Sequence, residues 1–415
     1  MKMSIAEKLA SEKCWLDFYK YRTEKRKMVP ADKKELEDFI LEKRYLEYAR
    51  GFADESIVIP PVCRREISKH SSGKKRTVYL YEGDFLIFLK MLAYLLSEKY
   101  DCIFEDNCFA FRRNISPGDA IRRITRTKGI WEKYSLKTDL HDYFNSVPPD
   151  KLIEKLTFLK GEDDQALSFF KKMLLSPKVK KGDGMILEDG SCICGIMAGT
   201  PTSPFLANVY LMDLDKEFRE SRSSYFRYSD DILIFSGSME ELEKKEQLLI
   251  EKISGKGLSF NASKRQISAP GESFEFLGFS FKEGSVGLSA HSADKIKGKI
   301  RRKARALRRW ACRKSLPGEM AAKGFLKAMN RKFYDDGEEG DFSWSRWFFP
   351  CLTAAEDLEK IDEYMQKNVR YCVTGRHYKG NYRVTYDKLK EWGYRSLVAE
   401  YYSFRESQKM IKNNS

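Results

Sequence analysis

The sequence lacks the signatures of several large classes of protein. Its nine cysteines are scattered, with only Cys192 and Cys194 close together and no C-x-x-C pair. Neither a disulfide framework nor a zinc site is supported, and a reducing bacterial cytoplasm is the expected location. The longest apolar stretch, FLIFLKMLAYLL at 85–96, is too short to span a bilayer and contains Lys90. It predicts a buried helix and no membrane partner. The N-terminus has no apolar signal-peptide core.

Positive charge is what the chain has in excess. Lysine and arginine number 76 against 61 aspartates and glutamates, a formal net charge of +15. Such an excess is the electrostatic footprint of a protein that binds a polyanion. Nucleic acid is the first expectation and an acidic membrane surface the second. With 415 residues, the chain is long enough for two or three compact domains.

Hydrophobic periodicity divides the chain into three regions. Residues 1–53 favour a charged helical extension, 54–283 alternate short strands with helices, and 284–415 are helical and basic. This order predicts an α+β fold, with a mixed centre between helical ends.

Several elements of the central region can be placed. Two strands are expected at SIVIPP and RTVYLY within 54–82, and a single strand at FEFLGFSF (274–281). A helix is expected to have Ser203 as its N-cap and Pro204 at its first helical position.

Two adjacent aspartates lie within the strand-like run RYSDDILIF (227–235). Carboxylates are rarely buried unless they are paired or bind a metal. The run precedes a Ser-Gly-Ser break, which predicts a tight β-hairpin with Asp230 and Asp231 at its tip. A plain turn is the alternative. The other two Asp-Asp pairs, at 163–164 and 335–336, lie in polar, glycine-containing surroundings and predict solvated loops.

A third acid, Asp139, ends a strand-like stretch in YSLKTDLHDYFNSV (134–147). A strand end beside a hairpin tip can bring three carboxylates together, and these repel one another unless divalent cations lie between them. Oxygen ligands suit Mg²⁺. Two such ions, roughly 3.5–4 Å apart, can stabilise both the attacking and the leaving oxygen of a phosphoryl displacement. The four histidines are dispersed and do not suggest a competing site.

In this order, these residues resemble a bacterial reverse transcriptase of the retron and group II intron lineage. RYSDD resembles the family's Y-x-D-D box, KTDLHDYFNSV its first palm motif, and GIMAGTPTSPFLANVYL (195–211) the segment between them. KHSSGKKRTVYL (69–80) and CFAFRRN (108–114) resemble its fingers motifs. LSFNASKRQIS (258–268) and FEFLGFSF resemble its closing palm motifs. The resemblance implies a right-hand polymerase with fingers, palm and helical thumb, in which 54–283 form fingers and palm.

The resemblance also implies a role for each matching residue. Asp139, Asp230 and Asp231 would hold two Mg²⁺ ions, with the Leu140 carbonyl as a further ligand. Lys264 would protonate or neutralise the departing pyrophosphate. The other implied residues are a steric gate against ribose at Phe144, a nucleotide site of Lys69, Arg76, Ala198 and Gly199, and a primer grip of Phe276, Leu277 and Gly278.

Other interpretations stay open for some of these residues. Core packing is the alternative for Phe144, and surface charge for Lys69, Arg76 and Lys264. Arg227 fits a template, a primer or a structural contact equally well. Met197-Ala198 stands where the family usually has Pro-Gln, whose amide rests against the incoming nucleotide. This departure favours a specialised enzyme and does not affect the metal site.

The segment KIKGKIRRKARALRRWACRK (295–314) separates by helical period into two faces. Its apolar stripe consists of Ile296, Ile300, Ala304 and Leu307, and its basic face of Lys295, Lys299, Arg302 and Arg309. Beside a polymerase palm, such a face would contact the phosphates of a duplex; a solvated face is the alternative. Farther on, aromatics interleaved with cations favour a helical core, with an RNA-binding surface as the alternative.

The most specific expectation is a defence-associated reverse transcriptase that limits phage growth. It would use dNTPs to copy a structured non-coding RNA into a DNA product duplex. A retron enzyme and untemplated or protein-primed synthesis are close alternatives. A catalytically inactive RNA-binding protein would conflict with the intact acidic triad, and an RNA-dependent RNA polymerase with Phe144. The sequence does not specify the oligomeric state.

Overall fold

The structure is a computed structural model. It describes residues 3–25, 28–68, 75–180, 186–187, 195–334 and 343–413. The fold is α+β, as predicted, and it is mostly helical with small sheets. The chain forms two compact units, Met1–Pro270 and Gly271–Ser415. No helix within the described ranges is both long and apolar enough to cross a membrane.

Five helices occupy most of the first hundred residues, and α5 contains the longest apolar run of the chain. Its core-facing side chains, such as Leu92 and Leu96, are fully buried, which confirms the predicted buried helix. The aromatic residues Trp15 and Phe39 pack with it in one hydrophobic core. The bounds are α1 Ile5–Ala10, α2 Glu12–Lys25, α3 Pro30–Leu41, α4 Tyr45–Ala53 and α5 Gly83–Tyr100.

The remaining helices of the first unit alternate with its strands. The helices are α6 Pro117–Arg126, α7 Tyr143–Ser146, α8 Pro149–Lys155, α9 Asp164–Leu175, α10 Ser203–Glu220 and α11 Met239–Gly255. The strands are β1 Val62–Ser68, β2 Lys75–Leu80, β3 Tyr134–Asp139, β4 Val179–Lys180, β5 Ile186–Leu187, β6 Ser224–Tyr228, β7 Asp231–Ser236 and β8 Gln266–Ser268.

A small sheet with the order β2-β1-β4-β5 forms in the first unit. The strand predicted at RTVYLY is confirmed as β2, but the strand predicted at SIVIPP is wrong, because β1 begins only at Val62. The two prolines just before it, Pro60 and Pro61, have no N–H to donate to a ladder. Regular pairing therefore starts after them.

The second sheet has the order β6-β7-β3-β8, with all neighbours antiparallel. Its central strands are almost wholly buried. Helix α10 packs against β6 and covers the sheet with its apolar side chains. The predicted start of α10 is one residue late, since Thr202 is the N-cap and Ser203 is already helical.

The second unit consists of a small antiparallel sheet, β9-β10-β11, and a group of helices. The single strand predicted at 274–281 is wrong. Two strands pair there in a hairpin, with Phe276 opposite Phe279 and Phe274 opposite Phe281. The bounds are β9 Phe274–Phe276, β10 Phe279–Lys282, β11 Ser285–Leu288, α12 Ala290–Arg313, α13 Gly318–Tyr334, α14 Trp344–Phe348, α15 Glu356–Thr374, α16 Tyr386–Glu391 and α17 Leu397–Asn413.

Candidate active site

The hairpin predicted around the adjacent aspartates is confirmed. Strands β6 and β7 pair from Ser224↔Phe235 to Tyr228↔Asp231, which leaves Ser229 and Asp230 as a two-residue turn. Ser229 adopts a φ of 61°, the left-handed conformation that such short hairpin turns require. Asp230 therefore lies in the turn itself, and Asp231 is the first residue of β7.

The third acid lies on the neighbouring strand, directly across from this turn. Asp139, the last residue of β3, pairs in register with Asp231. The next amide along the chain, that of Leu140, donates to the carbonyl of Asp230 at 3.2 Å. Backbone hydrogen bonds therefore fix the three aspartates at one edge of the sheet. No described donor bonds to the Leu140 carbonyl, so this oxygen can accept a ligand.

Lys264 approaches the same point from a short 3₁₀ turn before β8. The turn is anchored because the Asn261 amide donates to the Asp139 carbonyl at 2.9 Å. The Lys264 ammonium forms an ion pair with Asp139 Oδ2. The other carboxylate oxygen, Asp139 Oδ1, is buried and has no hydrogen-bond partner among the described residues. An unsatisfied buried carboxylate oxygen is costly and demands a further cation or donor.

Burial and mutual repulsion disfavour the ionised forms of two of these carboxylates, Asp230 and Asp231, in the protein alone. Burial, followed by the charge of Asp230, raises the pKa of Asp231 to about 6. Burial also raises the pKa of Asp230, with Asp139 adding to the effect and Lys264 and Arg76 opposing it. A bound divalent cation would reverse this balance by favouring the ionised forms.

These residues fit a hard divalent ion by chemistry, although their side chains do not converge on one point. Among the described residues, no three His, Cys, Asp or Glu side chains surround a common ion-sized position. The contact between Lys264 and Asp139 is one reason, since an ammonium stands where a cation would bind. The donor set consists of carboxylate oxygens and one free backbone carbonyl, which is the set that Mg²⁺ prefers.

The residues expected to bind the incoming nucleotide are placed in part. Arg76 is exposed on β2, close enough to Asp230 for its charge to lower the pKa of that carboxyl. Phe144 is half-buried on α7, and its ring stands edge-on to that of Phe111, with 6.1 Å between centroids. Because Phe144 is only partly buried, a ligand can contact it. Lys69 lies outside the described residues.

The loop before α10 departs in backbone as well as in sequence from the family pattern. Met197 has a φ of 54°, which a proline ring excludes. Ala198 is buried, and its carbonyl accepts the Tyr79 amide at 2.8 Å, so its side chain does not face a ligand. Gly199 is exposed with a φ of 105°, and a Cβ there would lie 3.1 Å from the Tyr79 carbonyl. Of the residues expected here, only Gly199 is open to a nucleotide.

Arg227 proves to be a structural residue, a role that the sequence left undecided. It is completely buried and donates to both carboxylate oxygens of Asp215, from Nε at 2.7 Å and from Nη2 at 2.5 Å. Its Nη1 donates to the carbonyl of Ser229 at 3.0 Å. The guanidinium therefore ties the turn between β6 and β7 to α10, the helix that carries Asp215. No pattern in the sequence pairs these two residues.

The remaining expected residues belong to the second unit. Phe276 ends β9, while Leu277 and Gly278 form a two-residue turn with φ values of 52° and 84°. Gly278 is required there, because a Cβ would lie 2.7 Å from Ser292 Oγ. The expected primer grip is thus a tight hairpin turn.

Helix α12 presents the two faces expected of it. Ile296, Ile300 and Ala304 are buried, and Leu307 is half-buried. Of the basic face, Lys295, Arg302 and Arg309 are exposed and Lys299 is half-buried. Burial, followed by the charge of Lys332 and the other cations around it, lowers the pKa of Lys299. None of the four basic side chains pairs with a carboxylate in the described part of the chain.

Comparison with known proteins gives these elements a family. A model described as reverse transcriptase (RNA-dependent DNA polymerase) matches residues 67–281, just over half of the chain. The chain belongs to this family. The matched stretch includes the end of β1, all of β2, the three aspartates and the turn at Leu277–Gly278.

Individual relatives are distant. The retron Mx65 reverse transcriptase of Myxococcus xanthus is 26% identical over 208 residues, which cover 48% of this chain and 47% of that protein. The retron Ec83 reverse transcriptase of Escherichia coli is 29% identical over 104 residues, covering 24% and 31%. The group II intron-encoded protein LtrA of Lactococcus lactis is 24% identical over 194 residues, covering 47% and 31%. The chain thus aligns with less than half of each relative's length.

Among solved structures, apo telomerase from Candida tropicalis aligns with 85% of this chain and 65% of its own. The sequence identity is 12% and the TM-score 0.46.

Proposed function

We propose that this chain is an RNA-directed DNA polymerase whose active centre is formed by Asp139, Asp230 and Asp231. The observation that carries the proposal is the placement of three carboxylates at one sheet edge, with Asp139 Oδ1 buried and unsatisfied. In a protein that did not use the three carboxylates for catalysis, their mutual repulsion would only lower the stability of the folded state. Membership of the reverse transcriptase family supports the same conclusion.

In this proposal the three aspartates and the Leu140 carbonyl hold two Mg²⁺ ions. When bound, these ions would stabilise negative charge on the attacking and leaving oxygens of nucleotidyl transfer. The protein's own contributions are positioning and charge. Arg76 holds the triphosphate, and Lys264, released from Asp139, supplies a proton or a positive charge to the departing pyrophosphate.

The right-hand arrangement is part of the same proposal. Residues 54–283 act as fingers and palm, 1–53 as a helical extension, and 284–415 as a basic thumb. Phe276, Leu277 and Gly278 hold the primer strand. The fingers, palm and primer-grip assignments derive from the motifs that the chain shares with the family, and the thumb assignment from the basic helix α12 that follows them.

We further propose that the template is a structured non-coding RNA and that the DNA product serves anti-phage defence. The departure at Met197-Ala198, in sequence and in backbone, fits an enzyme dedicated to one template. The test is to sequence the nucleic acid that co-purifies with wild type and with Asp230→Ala from the native host. One RNA in both samples, with complementary DNA only in wild type, is expected.

Other results of that experiment would replace the proposal. DNA without a complement in the bound RNA would indicate untemplated or protein-primed synthesis. RNA in both samples with DNA in neither would indicate a binding protein without polymerase activity. If phage plate equally well on hosts carrying wild type and Asp230→Ala, the defence role is wrong.

Replacing Phe144 with valine is expected to relax the choice between deoxyribonucleotides and ribonucleotides. The ring would no longer clash with a ribose 2′-hydroxyl, so relative use of rNTPs should rise by about 10- to 100-fold. Primer extension with each nucleotide set measures the ratio. Phe158→Val is the matched control, because Phe158 packs against Tyr100 and Phe205. An unchanged ratio in Phe144→Val would assign the ring to core packing.

Neutralising the basic face of α12 is expected to weaken duplex binding mainly at low salt. A plot of the logarithm of the association constant against the logarithm of salt concentration has a negative slope, and each lost phosphate contact should make that slope shallower by about 0.9. The variant is Lys295→Gln with Arg302→Gln, measured by fluorescence anisotropy on an RNA–DNA duplex between low and high salt. Arg301→Gln is the control, since Arg301 lies about 100° around the helix from Arg302. Equal slopes for all three proteins would assign this face to solvent.

A further inference from the structure

A cavity of about 260 Å³ opens beside the segment that follows α15 in the second unit. Its walls combine flat rings and positive charges: the rings are His377, Tyr378 and Tyr382, and the cations Lys367, Arg370 and Lys379. No carboxylate belongs to the lining. This composition favours an anionic ligand that has a flat face.

The rings of this cavity are unusually open to solvent. Tyr378 is 54% exposed and Tyr382 is 65% exposed. His377 lies parallel to Tyr371, with 4.8 Å between centroids and 15° between planes. Large exposed rings grouped in one place mark binding surfaces, since burying them inside the protein would have been favourable.

The segment that carries the rings is internally braced. Gly375 ends α15 in the left-handed conformation, with a φ of 75°. Thr374 Oγ1 donates to Asn381 Oδ1 at 2.8 Å, and Asn381 Nδ2 donates to the Arg376 carbonyl at 2.6 Å. Gly380 lies against the Tyr378 ring, where a Cβ would come within 2.2 Å of a ring carbon. These contacts hold the rings in place before a ligand arrives.

Arg370 adds a charged donor that the protein does not satisfy. The residue is only 7% exposed, and its Nε donates to the Val384 carbonyl at 3.0 Å. Its guanidinium lies over the Tyr382 ring, 5.0 Å from the centroid. Its Nη nitrogens donate to no acceptor in the described part of the chain, and they are not among its fully buried unsatisfied atoms, so solvent reaches them. An acceptor of a ligand in the cavity can therefore replace water at these donors.

We propose that this cavity binds an unpaired nucleotide of a single-stranded nucleic acid. The base stacks on the exposed tyrosine rings, Arg370 donates to an oxygen or nitrogen of the nucleotide, and Lys367 and Lys379 contact the flanking phosphates. Stacking on aromatic rings tolerates any base, because every base has a π face. The site requires no catalysis, so it does not depend on the polymerase activity proposed above.

Photo-crosslinking tests the site directly. The full chain carrying Asp231→Asn, which prevents synthesis, is irradiated with a hexanucleotide that contains 5-iodouridine, and crosslinked peptides are identified by mass spectrometry. The expected crosslink lies within 376–383. RNA and DNA hexamers are run in parallel, and the stronger crosslink identifies the natural sugar. Crosslinks confined to 54–270 would overturn the proposal.

Variants then separate stacking from charge. Tyr382→Ala should weaken hexamer affinity roughly 5- to 100-fold and abolish the crosslink, whereas Tyr382→Phe should stay within about twofold of the parent. Tyr402→Ala, which removes a 55% exposed ring on α17, is the matched control. Equal affinity of Tyr382→Ala and the parent, or equal binding of an abasic hexamer and the intact one, would overturn base stacking.

Primer extension by the same variants in an otherwise wild-type chain keeps the two proposals apart. If the crosslink forms at 376–383 but wild type does not extend a primer, the nucleotide site is supported and the proposed polymerase activity is wrong. If wild type extends a primer normally but that crosslink does not form, the polymerase activity is supported and the nucleotide site is wrong.

Discussion

Asp231→Asn is expected to abolish DNA synthesis and, without divalent ions, to make the protein more stable. Loss of one of the three carboxylates proposed to hold the metal ions would remove several kcal/mol of transition-state stabilisation, so the rate should fall by about 10³-fold or more. The stability of the folded protein should increase instead, because the Asp231 carboxylate is partly buried and is held beside Asp230, which together raise its pKa to about 6. An amide of the same shape is free of that repulsion.

The sign of the pH dependence follows from that pKa. The native state binds more protons than the unfolded state between the ordinary value of 3.8 and about 6. The contribution of this group to the free energy of unfolding therefore falls as pH rises from 3.8 to about 6, and above pH 6 the ionised Asp231 carboxylate destabilises the folded state to its full extent. For a half-buried group, the cost is on the order of 1–3 kcal/mol. The advantage of Asp231→Asn should be largest at pH 8 and should narrow towards pH 5.

Thermal unfolding in EDTA, followed at pH 8 and pH 5, measures the effect. Asp213→Asn is the matched control with the opposite sign. Burial alone would raise the pKa of Asp213, but hydrogen bonds from Lys155 and Lys256 lower it below the ordinary value. Its neutralisation should therefore reduce stability. Added Mg²⁺ should raise the unfolding temperature of wild type, because a ligand of the native state stabilises it, and not that of Asp231→Asn.

Two results would contradict this account of the carboxylates. An Asp231→Asn protein that is less stable than wild type in EDTA would mean that the ionised group is satisfied without metal. One that retains a tenth of the activity would remove Asp231 from the proposed active centre.

The juxtaposition of the three aspartates could be predicted because each of its parts is encoded locally. The alternation in RYSDDILIF and the Ser-Gly-Ser break specify a hairpin, and Asp139 ends a strand of its own. The pair Asp163-Asp164 shows where local patterns fail. Asp163 was expected in a solvated loop, yet it is 1% exposed and accepts the Ile5 amide at 2.6 Å and Lys99 at 2.6 Å. These partners of Asp163 lie far from it in sequence, so no local sequence pattern predicts the contacts.

The prediction of a single strand at 274–281 was wrong for a different reason, because the sequence does contain a pattern that indicates a hairpin there. Phe274 and Phe276 occupy even positions, whereas Phe279 and Phe281 occupy odd ones. A continuous strand keeps one parity for its buried face, so this shift of phase marks a two-residue turn. The rings of Phe274 and Phe281 stack across the hairpin at 4.8 Å. The left-handed backbone of Met197, in contrast, has no such signal, because methionine rarely adopts it.

Arg227→Met is expected to destabilise the first unit strongly, because it leaves Asp215 as a buried charge without its partner. Removing one member of a buried pair typically costs about 3–5 kcal/mol. Of its described side-chain donors, Asp215 would keep the Tyr225 hydroxyl, which donates to it at 3.0 Å. The double variant Arg227→Met with Asp215→Leu should recover much of the loss, since neither charge is then buried alone. Urea unfolding of wild type, both single variants and the double variant gives the coupling energy.

The double variant also separates stability from positioning. It should fold without the hydrogen bond from Arg227 to the Ser229 carbonyl, the contact that ties the turn between β6 and β7 to α10. Asp230 follows Ser229 directly, so freedom at this turn should displace a carboxylate of the proposed metal site. We therefore expect a lower kcat with KM for dNTPs little changed, because positioning at the reacting centre is lost and nucleotide binding is not. A double variant with wild-type kcat would confine the Arg227–Asp215 pair to stability. Recovered folding with a reduced kcat would make it a positioning device for the active centre.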